Sequence, residues 1–210
     1  MKYQSNKYQL ERATAERMVA VALWLALWQA ASLAVRQQLI LPGPVDVAVA
    51  LAGLVGTAAF WAKVGFSALR IIGATIASYA VAIALALASA RWRLVRVVAR
   101  PPLVAVKSTP VVCVVVLLLI WLGSANVSVA AVFLMALPGL YFPMLEGLDH
   151  VNEARRELFD LHGVRGVARS LGLVWPEVLP YLCAASETVV GMGWKAGVAA
   201  ELIGVPDGSI

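Results

Sequence analysis

Reactive side chains are scarce in this 210-residue chain, which holds two cysteines and two histidines. Cys113 and Cys183 lie in separate apolar stretches, with no C-x-x-C and no Cys/His cluster around them. That pattern favours neither a metal site nor a disulfide framework, and both cysteines read as small membrane-buried hydrophobes. His150 and His162 stand twelve residues apart with no carboxylate at a catalytic spacing. The chain contains no G-x-x-x-x-G-K-[ST], no G-x-S-x-G and no H-E-x-x-H, so no P-loop, serine-hydrolase or zincin chemistry is written in it. No catalytic residue, metal or cofactor is expected. Charge is also thin, at 14% of residues. A net charge of +5 raises the question of nucleic acid, but the basic residues are not gathered into one aromatic-studded patch. No nucleic-acid partner is expected.

Apolar surface is what the chain has in abundance. Hydrophobic residues make up 61% of it, more than a soluble core of this size can hide, so lipid must solvate part of the fold. The expectation is an all-α integral membrane protein, a multi-pass helical bundle in the cell (inner or plasma) membrane. Residues 1–17 form a polar N-terminal segment, and Met18 to Val35 is too long for a signal-peptide core and reads as an uncleaved first span. Pro42 and Pro44 close that helix and fix a turn. The stretch from Val45 to Phe60, interrupted by Asp46, Gly53, Gly56 and Thr57, reads as a short interfacial helix.

Four more spans follow. The second, about Phe66 to Ala90, carries Ser78, Ala82, Ala86 and Ala90 at steps of four, a small-residue ladder that marks a helix–helix seam. Arg70 near its start reads as a snorkelling end-of-helix residue or a substrate contact. Arg91, Arg93, Arg96 and Arg100 crowd a connector that Pro101-Pro102 closes. The third span, about Leu103 to Leu122, contains Lys107 and a break at Ser108-Thr109-Pro110. The fourth, from Val127 to about Leu148, holds Pro138 and Pro143 and is expected to kink. The fifth runs from near Pro176 to near Gly204, with a GxxxG step at Gly193 and Gly197.

The 17 Lys and Arg sort by side. Four precede the first span, four lie in the arginine connector and four in residues 149–175, whereas Arg36 alone belongs to a clear loop on the opposite side; Lys63, Arg70, Lys107 and Lys195 are in or beside spans. By the positive-inside rule the N-terminus, the connector and the 149–175 loop are cytoplasmic. Residues 18–204 then form the transmembrane domain, and residues 205–210 an external tail.

The stretch Glu157 to Pro180, which takes in most of the 149–175 loop, is the longest polar, charge-bearing interruption after the spans begin. Leu158, Leu161, Val164, Val167 and Leu171 recur at three to four residues and line one helical face. Gly163 and Gly166 interrupt that pattern, which predicts two short helices at an angle. Glu157, followed six residues later by Gly163 and then by Trp175-Pro176 and Leu179-Pro180, resembles the EAA loop of permease subunits of binding-protein-dependent ABC importers. Leu158 and Phe159 depart from that loop, where two small residues are usual, and Trp175 replaces a leucine. GMGWKAGVAAELIG at Gly191 to Gly204, and the LP-x-P-x-DV phrase at Leu41 to Val47, resemble the nitrate/sulfonate/taurine branch of that family.

The resemblance implies a type I importer permease that pairs with a second copy, with P-loop ATPase subunits and with an external substrate-binding protein. It implies that the loop couples to the ATPase through Glu157, Leu158, Phe159, Leu161, Gly163, Val164, Arg165 and Arg169. Amphipathicity alone equally fits a helix resting on the membrane. Importers of this family normally have six spans, so the chain is expected to lack a final helix, with a genuine five-span protein as the alternative. Lys107, Pro110, Glu187, Trp194 and Lys195 are candidate pathway or gate residues. Glu187 and Lys195, two turns apart, form a structural ion pair or contact substrate, and Glu201 reads as a capping or interface residue. The competing class is a gradient-driven carrier or a membrane assembly subunit, against which the absence of a carboxylate-rich relay counts.

Overall fold

The computed structural model describes residues 2–37 and 40–206, with side chains from Thr14 onward, and these are helical almost throughout. The chain divides into two compact units, Met1–Trp61 and Ala62–Ile210. The expected tail at 205–210 lies, beyond Pro206, outside the described residues.

The first unit is a helical hairpin. Helix α1 runs Lys2–Val35, so the polar N-terminal turns and the first span are one helix, with Thr14–Val35 apolar enough to cross a membrane. Arg36 ends it in the left-handed region at φ 55°. Trp28 Nε1 donates to Pro42 O (3.0 Å) and Ser32 Oγ to Leu41 O (2.9 Å), which lays the return segment against the helix. Helix α2, Pro44–Val55, starts with proline at its first position, where the missing N–H costs nothing, and Asp46 accepts from Gly43 N (3.1 Å). At 12 residues it rises about 18 Å, too short to cross a bilayer, as its composition predicts.

The second unit is organised on α6 and α9. Helix α3 (Ala58–Arg91) buries Ser67, Ile71, Ala74, Ser78, Ala82, Ala86 and Ser89, a seam at steps of three and four. The expected ladder is present with one correction. Ala90 is exposed and Ser89 takes its place, because 3.6 residues per turn cannot hold a strict step of four for long. Ser89 then accepts a buried hydrogen bond from Tyr141 OH at 2.9 Å.

The arginine connector is corrected more substantially. Helix α4 runs Arg93–Ser108, straight through Pro101 and Pro102. Interior proline costs a helix roughly 3 kcal/mol. Leu103, buried in the main core against which Ala99 also packs, offsets part of that cost by apolar burial. The break comes at Thr109, held extended (φ −86°, ψ 133°) by the ring of Pro110 that follows. Helix α5, Val111–Leu122, departs at 108° to α4, so the third expected span is a bent pair.

Helix α6 (Ser124–Asp149) stays one helix with both prolines inside it, and it is the most buried helix of the unit. After the loop comes α9, Trp175–Gly204. A Cβ on Gly139 would meet Val189 at 2.7 Å, and one on Gly147 would meet the Tyr181 ring at 3.0 Å, so glycine lets α6 and α9 touch. Among the described residues three helices are long and apolar enough to span, and the α4–α5 pair counts as a fourth if taken together. Helix α9 is long enough at 30 residues, but carries Glu187, Lys195 and Glu201.

Candidate functional site

The loop between α6 and α9 has the expected shape. Asn152 accepts from Arg155 N at 3.2 Å and caps α7, Glu153–Leu161, whose first turn carries Glu153 toward the positive helix end. Gly163 (φ 65°) and Gly166 (φ 64°) then turn the chain in a region closed to most side chains. A single turn, α8 (Gly166–Arg169), leads into a π-helical stretch, Ser170–Val174, that runs without a break into α9.

Side chains clamp these pieces together. Arg155 pairs with Glu177 of α9 at 2.8 Å, and Arg169 forms a two-pronged pair with Asp160 of α7. Arg96 of α4 grips Asp149 at the end of α6 through both terminal guanidinium nitrogens, at 3.0 and 2.7 Å. The hydrogen bond from Arg169, with the charges of Arg156 and Arg165 adding to it, holds the Asp160 carboxyl below its ordinary 3.8. Gly172 is bare because a Cβ there would press on the Phe159 ring at 3.0 Å. Beside this joint an apolar cavity of about 110 Å³ lies between Leu87, Met144, Leu148, Trp175 and Val178.

The residues expected to dock a partner divide into two sets. Leu158 and Leu161 (84% exposed) remain open, and so do Val167 and Leu171, further members of the predicted apolar face. Phe159 and Val164 are half-buried, with Phe159 turned back onto Gly172. Arg169 is occupied by Asp160, whereas Glu157 and Arg165 are exposed.

The candidate pathway residues are dispersed. Lys107 Nζ sits 5.6 Å from the Phe142 ring centre, and Pro110 occupies the bend between α4 and α5. Glu187, Trp194 and Lys195 are all exposed on α9, and no Glu187–Lys195 bridge forms among the described residues. The buried acid of α9 is Glu201 instead, 3% exposed with neither carboxyl oxygen hydrogen-bonded. Its position near the helix end suggests a capping or interface role; its spacing of four from Gly197 is the signal for burial against α3 and α6. No group of three or more His, Cys, Asp or Glu side chains is placed to hold a metal ion among the described residues.

Residues 80–209, well over half of the chain, match the family described as "Binding-protein-dependent transport system inner membrane component". The chain belongs to this family. It is thus an inner membrane component of an importer, and the long apolar helices are what that role requires. The matched region begins inside α3 and takes in the loop and all of α9. A family of this kind works with a substrate-binding protein and ATPase partners rather than as a self-contained enzyme. Comparison with curated proteins finds no match.

Proposed function

We propose that this inner membrane component couples its translocation pathway to separate ATPase subunits through the 149–175 loop, with substrate delivered by an external binding protein. The observation that carries this reading is an apolar edge left open on a clamped scaffold. Leu158 and Leu161 project from α7 while ion pairs fix α7 to α8 and α9. A short helix with one open apolar face suits insertion into a partner's groove, and its rigid ties carry partner motion into α9 and α6. Residues Glu157 and Arg165, exposed on the loop, supply polar contacts at the rim. The transporter is a dimer of this chain, with the N-terminus and the loop cytoplasmic. The branch is the nitrate/sulfonate/taurine type, and the cargo a small anion or organic solute, with vitamin precursors included. Lys107, Pro110, Trp194, Glu187 and Lys195 line the pathway or its gate.

A detergent pull-down with this chain as bait tests the coupling. A P-loop ATPase subunit is expected to co-purify with the native chain, and to be lost from Leu161→Asp and Val167→Asp. Both side chains are exposed, so these changes leave the fold intact. Retention of the ATPase by both variants overturns the docking assignment. Recovery of no ATPase by the native chain favours a gradient-driven carrier or assembly subunit.

A further inference from the structure

Three helices of the second unit meet in a register that can be read pair by pair. A Cβ on Gly193 of α9 would lie 3.6 Å from Thr75 Oγ1 of α3, and one on Gly197 would lie 2.6 Å from Ile71 Cγ1. The helices run antiparallel, so each step of four along α9 matches a step of four backward along α3. The next pair in the series is Glu201 with Ser67. Helix α6 supplies the third side. A Cβ on Gly197 would also lie 2.9 Å from Val132 and one on Gly204 2.7 Å from Val127, which sets Ser128 at the level of Glu201.

All three side chains are sealed in, with exposures of 2% for Ser67, 0% for Ser128 and 3% for Glu201. Their four oxygens are the buried, unpartnered side-chain polar atoms of this unit among the described residues. An apolar cluster that includes Ala200, Val127 and Ala131 borders the layer. A carboxylate in such a place is paired, neutralised or bound to a metal. Arg70, one turn from Ser67, is committed elsewhere: it donates to Ala125 O and its guanidinium lies 5.1 Å over the Phe66 ring.

We propose that Glu201, Ser67 and Ser128 form a binding site for one small monovalent cation, Na⁺ by ligand class. Carboxylate and hydroxyl oxygens suit a hard cation, and the absence of nitrogen or sulfur ligands disfavours transition metals. One carboxylate balances one positive charge, whereas a divalent ion would leave a buried excess. The ion bridges α3, α6 and α9, so it binds only while these helices keep the register described. The site lies at the end of α9 remote from the loop, and does not depend on ATPase docking.

The test uses the full chain in detergent, with choline chloride replaced by NaCl at constant ionic strength. The thermal midpoint of the native chain is expected to rise by several degrees, as for any ligand that binds only the folded state. Glu201→Gln is expected to be flat across the same series. Ser67→Ala and Ser128→Ala are expected to need several-fold more NaCl for half the effect. Bound ²²Na⁺ on the same samples is expected to saturate at one per native chain and to vanish in Glu201→Gln. Equal curves in NaCl and choline for the native chain overturn the site, as does an undiminished Na⁺ response in Glu201→Gln. Should Glu201→Gln not fold, an unchanged half-effect concentration in both serine variants overturns it equally.

Discussion

The two ends of α9 handle charge in opposite ways. At the loop end, Glu177 takes Arg155 and Asp160 takes Arg169, in pairs that face water. At the far end Glu201 is buried between α3 and α6 with no such partner among the described residues. Exposed pairs of the first kind are worth little in stability, about 0–1 kcal/mol each, and act by fixing geometry. An unpaired buried carboxylate opposes folding, so its presence marks a site kept for something other than stability. The apolar residues show the inverse arrangement, open at the loop in Leu161 and packed shut around Glu201 in Ala200 and Val127.

That contrast breaks first where α9 is tightest. Gly197→Ala would push a methyl to 2.6 Å from Ile71 and 2.9 Å from Val132, and overpacking of this kind costs about 1–3 kcal/mol. A drop in the unfolding midpoint in detergent is expected. Gly193→Ala, four residues away, meets its nearest neighbour at an ordinary 3.5 Å. It is expected to be neutral, or stabilising by up to about 1 kcal/mol through helix propensity. Equal effects of the two changes would show that the register placing Ser67 against Glu201 is wrong.

Tyr141→Phe comes next. It removes the donor to Ser89 in the buried seam, with an expected loss of about 1 kcal/mol in the same unfolding assay. Arg155→Ala is expected to cost at most about 0.5 kcal/mol, because the arginine is largely in water. Its larger effect should appear in ATPase recovery, since α7 loses its tie to α9. The smallest effect is on acid sensitivity. The folded-state pKa of Asp160 lies below its unfolded value, so its contribution is present above that value and fades as pH falls through the folded one. Acid titration followed by proteolytic nicking at Gly163 should open the native loop at low pH. Asp160→Asn should be open to protease already at neutral pH.

The helical plan was readable because its signals are local. Runs of apolar residues set the long helices, and Gly163 and Gly166 announced a turn that their positive φ angles bear out. Pro110 marked the break after α4, although its 108° angle was not written in the residue. The Pro101-Pro102 pair misled, since a local helix breaker lost to the tertiary burial of Leu103. Phe159 and Arg169 were expected, from the family resemblance, to face a partner. Their partners, Gly172 and Asp160, are supplied by the fold-back of the loop. Glu201 was hidden for a related reason. A carboxylate near a helix end ordinarily reaches water, and only the glycine-faced approach of α3 and α6 closes that route.

The π-helical stretch at Ser170–Val174 sets the angular phase of everything downstream. A π turn holds one residue more than an α turn, and one residue corresponds to about 100° of rotation. Helix α9 is therefore a spindle whose azimuth relative to α7 is stored in five residues, next to a cavity that leaves the joint room to turn. Winding that extra residue out would swing the glycine face of α9 away from α3. A tug on the loop would then be delivered to the far end of the bundle as torsion rather than as a push.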